Sequence, residues 1–136
     1  MITMAQKRAG YALERVLAVT NGKSEKEKKE FKAFSSGAPS MILQNGFGQT
    51  LAFWLAKGTK DNKIKQNDKH IELFDMVKGW LSLKTKDINN SFTNEKDRTK
   101  LMKELTTMEQ RQYLSAQSET LALLEWVKRF ANADLS

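Results

Sequence analysis

Residues 39–58, PSMILQNGFGQTLAFWLAKG, decide how the rest of the chain is read. They hold the only proline, three of the seven glycines, one of three tryptophans and two of seven phenylalanines. The second half, Leu51-Ala52-Phe53-Trp54-Leu55-Ala56, is apolar at every position. A helix through it is greasy all round and is expected to be a central helix, buried on most sides. An apolar run of this length falls far below the roughly 20 residues that cross a bilayer, so a membrane span is excluded. In the first half, Gln44, Asn45 and Gln49 put three amides beside the apolar run. Gly46 and Gly48 stand where a helix prefers alanine by about 1 kcal/mol each. Packing is expected to compensate, because Gly48, Ala52 and Ala56 form a small-residue row at four-residue spacing that lets helix six or one approach closely. The amides are then either buried and bonded within the bundle, which is the expectation, or polar contacts to a neighbouring subunit.

Working outward, 136 residues are expected to form one domain, 1–136, large enough for a real core. Apolar content of 40%, a single proline and few β-branched residues beside Ala, Leu, Lys, Glu and Gln indicate an ordered all-α globule. The absence of cysteine removes disulfides, thiolate nucleophiles and cysteine-based metal sites, and fits a reducing cytoplasm. Residues 1–20 are amphipathic, with Arg8 and Arg15 set into the apolar pattern, and so are no signal peptide. The net charge of +7 points to a polyanionic partner. Segments 1–20, 21–34 and 57–70 carry +2, +2 and +3, which is the whole excess, so the positive charge lies in the first half.

In chain order, Ile2, Ala5, Ala9, Ala12, Leu13, Val16 and Leu17 follow helical spacing and predict a helix over 3–19, ended by Thr20-Asn21-Gly22. Ser24 and Glu27 form a capping-box pattern that opens a short, very polar surface helix over 24–34. Residues 35–38 read as a turn, with Pro39 at the first position of a third helix that runs to Lys57. The charged, asparagine-rich segment 58–68 reads as an exposed loop, able to touch RNA backbone or nothing. A fourth helix spans 69–83 and a loop 87–93 follows; Thr93 or Asn94 caps a short fifth helix reaching Leu105. Thr106 with Glu109 is a second capping-box pattern that opens the longest helix, over 107–133. Its apolar stripe is Leu114, Leu121 and Leu124, widened by Leu123, Trp126, Val127 and Phe130, and its polar face includes Lys128 and Arg129. Packing this helix on helices one and three gives a compact single-domain bundle of five to six helices.

The residues offer little for catalysis. His70 is the only histidine and is expected at the surface, so a His-based metal site or a Ser-His pair within one chain is excluded. Gly46-Phe47-Gly48 lacks the Gly-Lys-Ser/Thr end of a phosphate-binding loop. Glu72 with Asp75, and Glu25 with Glu27, sit among lysines and read as solvated charge, with no cofactor and no metal expected. Binding remains. Lys7, Arg8 and Arg15 share one side of the first helix and can meet successive phosphates, although Arg15 can instead pair with Glu14 or a carboxylate of the last helix. Lys57 can bind anions or cap the carbonyls at its helix end.

Three blocks now stand together: AQKRAGYALERV at 5–16, PSMILQNGFGQTLAFWLAKG at 39–58 and YLSAQSETLALLEWVKRFANADL at 113–135. In this order and spacing the chain resembles the small, all-helical subunit family of the Cmr complex, the type III-B CRISPR RNA-silencing effector. The most specific piece is Ile42-Leu43-Gln44-Asn45-Gly46-x-Gly48-Gln49 running into Leu-Ala-Phe and Ala-Lys-Gly. Phe47 and Trp54 stand where the family tends to have leucine. The resemblance implies a non-catalytic antiviral-defence subunit, without metal, stacked in several copies beside the filament that holds the CRISPR RNA. It implies contact with CRISPR RNA, target RNA, other Cmr subunits and adjacent copies of itself, and a monomer when isolated. The RNA-contact candidates, chosen on charge and face, are Lys7, Arg8, Arg15, Lys57, Lys60, Lys128 and Arg129; Asn45, Gln49 and Trp54 are partner-subunit or structural candidates. A stand-alone metal-dependent nuclease using Glu72, Asp75 or His70, and a basic protein-protein adaptor, are the alternative readings.

Overall fold

The computed structural model describes residues 2–94 and 97–135. Among these, six helices follow in order: α1 (Met4–Thr20), α2 (Glu25–Asn45), α3 (Phe47–Lys57), α4 (Lys69–Leu81), α5 (Arg98–Thr107) and α6 (Gln110–Asn132). A two-residue antiparallel pair, β1 (Thr59–Lys60) and β2 (Lys63–Ile64), joins α3 to α4. The architecture is all-α in its layers, and one core cluster draws side chains from every helix.

Helix starts follow local chemistry. Thr3 and Gln6 form a reciprocal capping box on α1, and Ser24 and Glu27 form the expected one on α2. The Ser24 backbone N–H, bonded to the Glu27 carboxylate, holds that acid below its usual pKa. The second expected box, Thr106 with Glu109, does not form. Thr106 and Thr107 bond back to carbonyls inside the last turn of α5, and α6 opens on Glu109 without a side-chain cap. α5 is capped by the Asp97 side chain rather than by Thr93 or Asn94.

Pro39 does not start a helix. α2 runs through residues 35–38 and past the proline to Asn45. Pro39 has no N–H to offer the carbonyl four residues back, which removes one intrahelical bond. Ser35 and Ser36 donate their hydroxyls to the carbonyls of Phe31 and Lys32, at 2.7 and 2.8 Å, so both are satisfied inside the helix. Phe31, Ser35, Ala38 and Ile42 then make one buried stripe at helical spacing, and α2 packs most extensively on α6. Burial of that stripe, rather than proline's preference for a first turn, decides where the helix runs.

The break falls seven residues later, at Gly46. Its φ of 90° and ψ of 156° suit glycine alone. Gly46 both ends α2, its N–H reaching Ile42 O at 2.8 Å, and opens α3. Glycine has no side chain to cap α3. The Tyr113 hydroxyl of α6 accepts the Gly48 N–H at 2.8 Å instead, and the Thr50 hydroxyl donates to Met41 O at 3.1 Å, which seals the corner between α2 and α3.

The most buried helix is α4, where Ile71, Leu73, Phe74, Met76, Val77, Trp80 and Leu81 are all interior. α3 is buried only along Phe47, Thr50, Leu51 and Trp54, while Ala52 and Ala56 are exposed and Phe53 is 44% exposed. The small-residue row is therefore no helix-helix seam: α3 packs on α4, α2 and α5, and α6 packs on α1 and α2. On α6 the buried stripe is Ala116, Thr120, Leu123, Leu124 and Val127, and Leu114, expected in it, faces out.

The segment 58–68 is more ordered than a plain loop. Asp61 and Asn62 take φ of 52° and 64°, a two-residue turn of the kind that matches strand twist. It pairs Thr59 with Ile64 and Lys60 with Lys63. At its base, a Cβ on Gly58 would overlap Ile71, so the hairpin leaves α3 where only glycine lets α4 come this close.

Candidate nucleic-acid interface

The predicted basic residues divide into two groups. Arg8 turns inward: its Nε and Nη2 donate to Glu119 Oε1 and Oε2 at 2.6 and 3.0 Å, and both side chains are largely buried. Trp80 Nε1 donates to the same Glu119 Oε1 at 2.9 Å. Tyr11 completes the junction, its hydroxyl donating to Met76 O at 2.7 Å and its ring lying 5.1 Å from that of Trp80. Burial pushes the Tyr11 pKa up to about 12, against the nearby Arg15 charge. Arg8 therefore ties α1 to α6 and is not available to a phosphate, which corrects its placement on a binding face. A carboxylate of the last helix does take an arginine of the first, as considered for Arg15, but the arginine is Arg8. Arg15 is half-buried, with Nε bonded to no described group, and Lys7 is half-buried as well.

The second group lies at the surface. Lys57 and Lys60 are exposed, at the end of α3 and on β1, with Lys63 and Lys65 exposed beside them on and after β2. Lys60 and Lys63 stand directly opposite one another. Like charges in that position repel, and neither makes an ion pair among the described residues; with Asp61 the one acid in the turn between them, the hairpin keeps a net positive charge. Sequence reading singled out Lys60 but missed Lys63 as its neighbour. The available signal was the Asp61-Asn62 pair, a two-residue turn sequence flanked by Thr59-Lys60 and Lys63-Ile64. Lys128 is half-buried and Arg129 exposed near the end of α6.

The amides and Trp54 separate too. Trp54 is fully buried, edge-on to Phe34 at 5.5 Å between centroids, so its place is structural and not at a partner surface. Gln44, Asn45 and Gln49 are exposed, and none bonds another described residue through its side chain. Satisfaction within the bundle is thus overturned. The break at Gly46 turns these positions outward, where an unbroken core helix would have hidden some of them. Asn45 and Gln49 line a depression of about 290 Å³ with Met41, Thr50 and Phe53, and Lys57 Nζ lies 5.6 Å from the Phe53 ring centroid.

The titratable groups weighed for metal chemistry are each held elsewhere. Glu72 pairs with Lys23 at 3.0 Å, and burial raises its pKa. Asp75 takes a two-point ion pair from Arg98 at 2.9 and 2.7 Å. His70 is not a free surface group. Its ring lies 4.5 Å from that of Phe34, and Nδ1 meets Asp68 Oδ1 at 3.0 Å. Burial lowers the His70 pKa despite that carboxylate. Burial also pushes Asp68 upward, but the N–H groups of His70 and Ile71, which Asp68 caps at the start of α4, together with the His70 ring carry it below the ordinary aspartate value. No group of three or more His, Cys, Asp or Glu suited to a metal ion occurs among the described residues, and no helix there is long and apolar enough to cross a membrane.

Two comparisons bear on identity. The family model described as CRISPR-associated protein (Cas_Cmr5) matches residues 4–134. The crystal structure of a CRISPR-associated Cmr5 family protein from Thermus thermophilus is similar over 100% of both chains, at 26% sequence identity and a TM-score of 0.71.

Proposed function

The chain belongs to the CRISPR-associated Cmr5 family, and from that premise we propose that it is a non-catalytic, structural subunit of a type III-B Cmr ribonucleoprotein effector. In this reading it works in the cytoplasm in antiviral defence, stacks in several copies along the complex, and holds the backbone of guide and target RNA. Sequence selection comes from guide pairing and RNA cleavage from a neighbouring subunit, so this chain reads charge and shape. The observation that carries the RNA contact is the end of α3: exposed Lys57, Lys60 and Lys63, the last two opposed and neither held in an ion pair, with Asp61 the one acid between them. Arg129 and the half-buried Lys7, Arg15 and Lys128 are secondary candidates. The ion pairs that occupy Glu72 and Asp75 support a structural over a hydrolytic role.

The test is co-purification. Tagged chain, expressed with the other Cmr subunits and a CRISPR locus, is expected to retain both CRISPR RNA and those subunits. Recovery of neither overturns the reading. The isolated chain is expected to be a monomer that binds RNA weakly, without sequence preference and with strong salt sensitivity.

A further inference from the structure

Resting on the RNA reading above, the structure assigns a specific ligand to the depression beside the basic hairpin: one unpaired nucleobase of a single-stranded RNA segment, with its flanking phosphates on the hairpin lysines. Three observations meet there. Phe53 is 44% exposed, on a helix whose other aromatic side chains, Phe47 and Trp54, turn inward. Asn45 and Gln49 share the depression with it, and their amides are unbonded. Lys57 Nζ sits 5.6 Å from the ring centroid, and the chain passes from Lys57 through Gly58 directly into β1, so Lys60 and Lys63 rise from the same end of α3.

Each feature alone is ordinary; together they match one chemistry. An exposed aromatic face next to a basic track is how proteins stack bases of single strands, because every base has a π-face. Free side-chain amides carry donors and acceptors at once and so pair with the edge of a base. The lysines require phosphate. Phe53 lies four residues before Lys57, the last residue of α3, about 6 Å along the helix at 1.5 Å per residue, roughly the reach of one nucleotide. A purely apolar partner fits less well, since it would strip water from two amides and a lysine and return nothing to them. The base must be unpaired, because a base within a duplex has neither face free.

The experiment uses the full chain and two labelled probes of equal length and charge, an oligouridylate and the corresponding abasic ribose-phosphate oligomer, in fluorescence anisotropy at low salt. The oligouridylate is expected to bind more tightly. Phe53→Ala is expected to weaken it about ten-fold, the loss of one base-aromatic stack, and to leave the abasic oligomer unchanged. Phe53→Tyr is expected to retain binding, and Gln49→Ala to weaken oligouridylate by a smaller factor. Replacing Lys60 and Lys63 by Glu is expected to weaken both probes alike. Because Phe53 is exposed, unchanged thermal unfolding of Phe53→Ala is expected and verifies that the variant folds. Equal affinity of the wild-type chain for both probes removes the base site and leaves the RNA reading standing. Phe53→Ala with unchanged RNA affinity but reduced self-association in sedimentation makes the patch a contact between copies and overturns the inference. Failure of the wild-type chain to bind either probe, alone or in the assembled complex, removes the RNA reading itself.

Discussion

At the scale of single residues, Glu119 does more than its surroundings in sequence suggest. One carboxylate holds the Arg8 guanidinium and the Trp80 indole N–H, and so joins α1, α4 and α6 at one point. Glu119→Ala leaves a mostly buried guanidinium and an indole N–H unpartnered, and is expected to cost about 3 kcal/mol in denaturant unfolding. Glu119→Gln keeps an acceptor and is expected to cost less. Reversing Arg8 to glutamate sets two carboxylates against each other, so loss of RNA binding in such a variant would report unfolding rather than a missing phosphate contact. His70 gives a pH signature. Its folded pKa lies below 6.5, so the unfolded chain takes up the proton first. Stability from neutral His70 is then complete above 6.5 and falls as the pH drops through that value toward the folded pKa. A histidine NMR titration is expected to show the lowered value, and His70→Gln to flatten the stability profile in that window. Asp68 has its own window lower down, its contribution lost as pH falls below the ordinary 3.8.

At the scale of elements, the α2-Gly46-α3 corner is held by backbone conformation and a cap borrowed from α6. Gly46→Ala forces a side chain to φ of 90° and is expected to destabilise the protein by about 2 kcal/mol, measured by chemical denaturation. Tyr113→Phe removes the acceptor for the Gly48 N–H and is expected to cost about 1 kcal/mol by the same measurement. The two should be less than additive, because both loosen one corner. The corner also explains which face of α3 is free: Phe47, Leu51 and Trp54 turn in, and Gln49 and Phe53 turn out beside the end of α2.

At the scale of the molecule, the +7 excess is not spread evenly over function. The first turns of α2 mix Lys26, Lys28 and Lys29 with Glu25, Glu27 and Glu30. The hairpin is less balanced, with Asp61 the single acid against Lys60 and Lys63. Replacing Lys60 and Lys63 by Gln is expected to lower the slope of log affinity against log salt by about 1.4 for single-stranded RNA, two phosphate contacts' worth. Replacing Lys26 and Lys29 by Gln is expected to leave the slope unchanged. Affinity measured from low to physiological salt tests both.

The sequence by itself determined the helical class, the capping box at Ser24, the fourth helix from Lys69 to within two residues of its end and the family, because periodicity, caps and a distinctive motif are local properties of the chain. The segment 39–58 identified the family and announced a costly glycine, yet its role as a central helix was not legible. Whether Pro39 begins a helix or lies within one depends on α6 being there to bury Phe31, Ser35, Ala38 and Ile42. Whether Asn45, Gln49 and Phe53 are hidden depends on the turn that Gly46 makes. Charge was legible, but its availability was not: Arg8 and Lys60 look alike in sequence, and only the fold brings Glu119 from 111 residues away to Arg8 and leaves Lys60 without such a partner. Partners that distant along the chain leave no periodic trace, so tertiary structure alone decided which basic residues hold the bundle together and which remain free to meet a ligand.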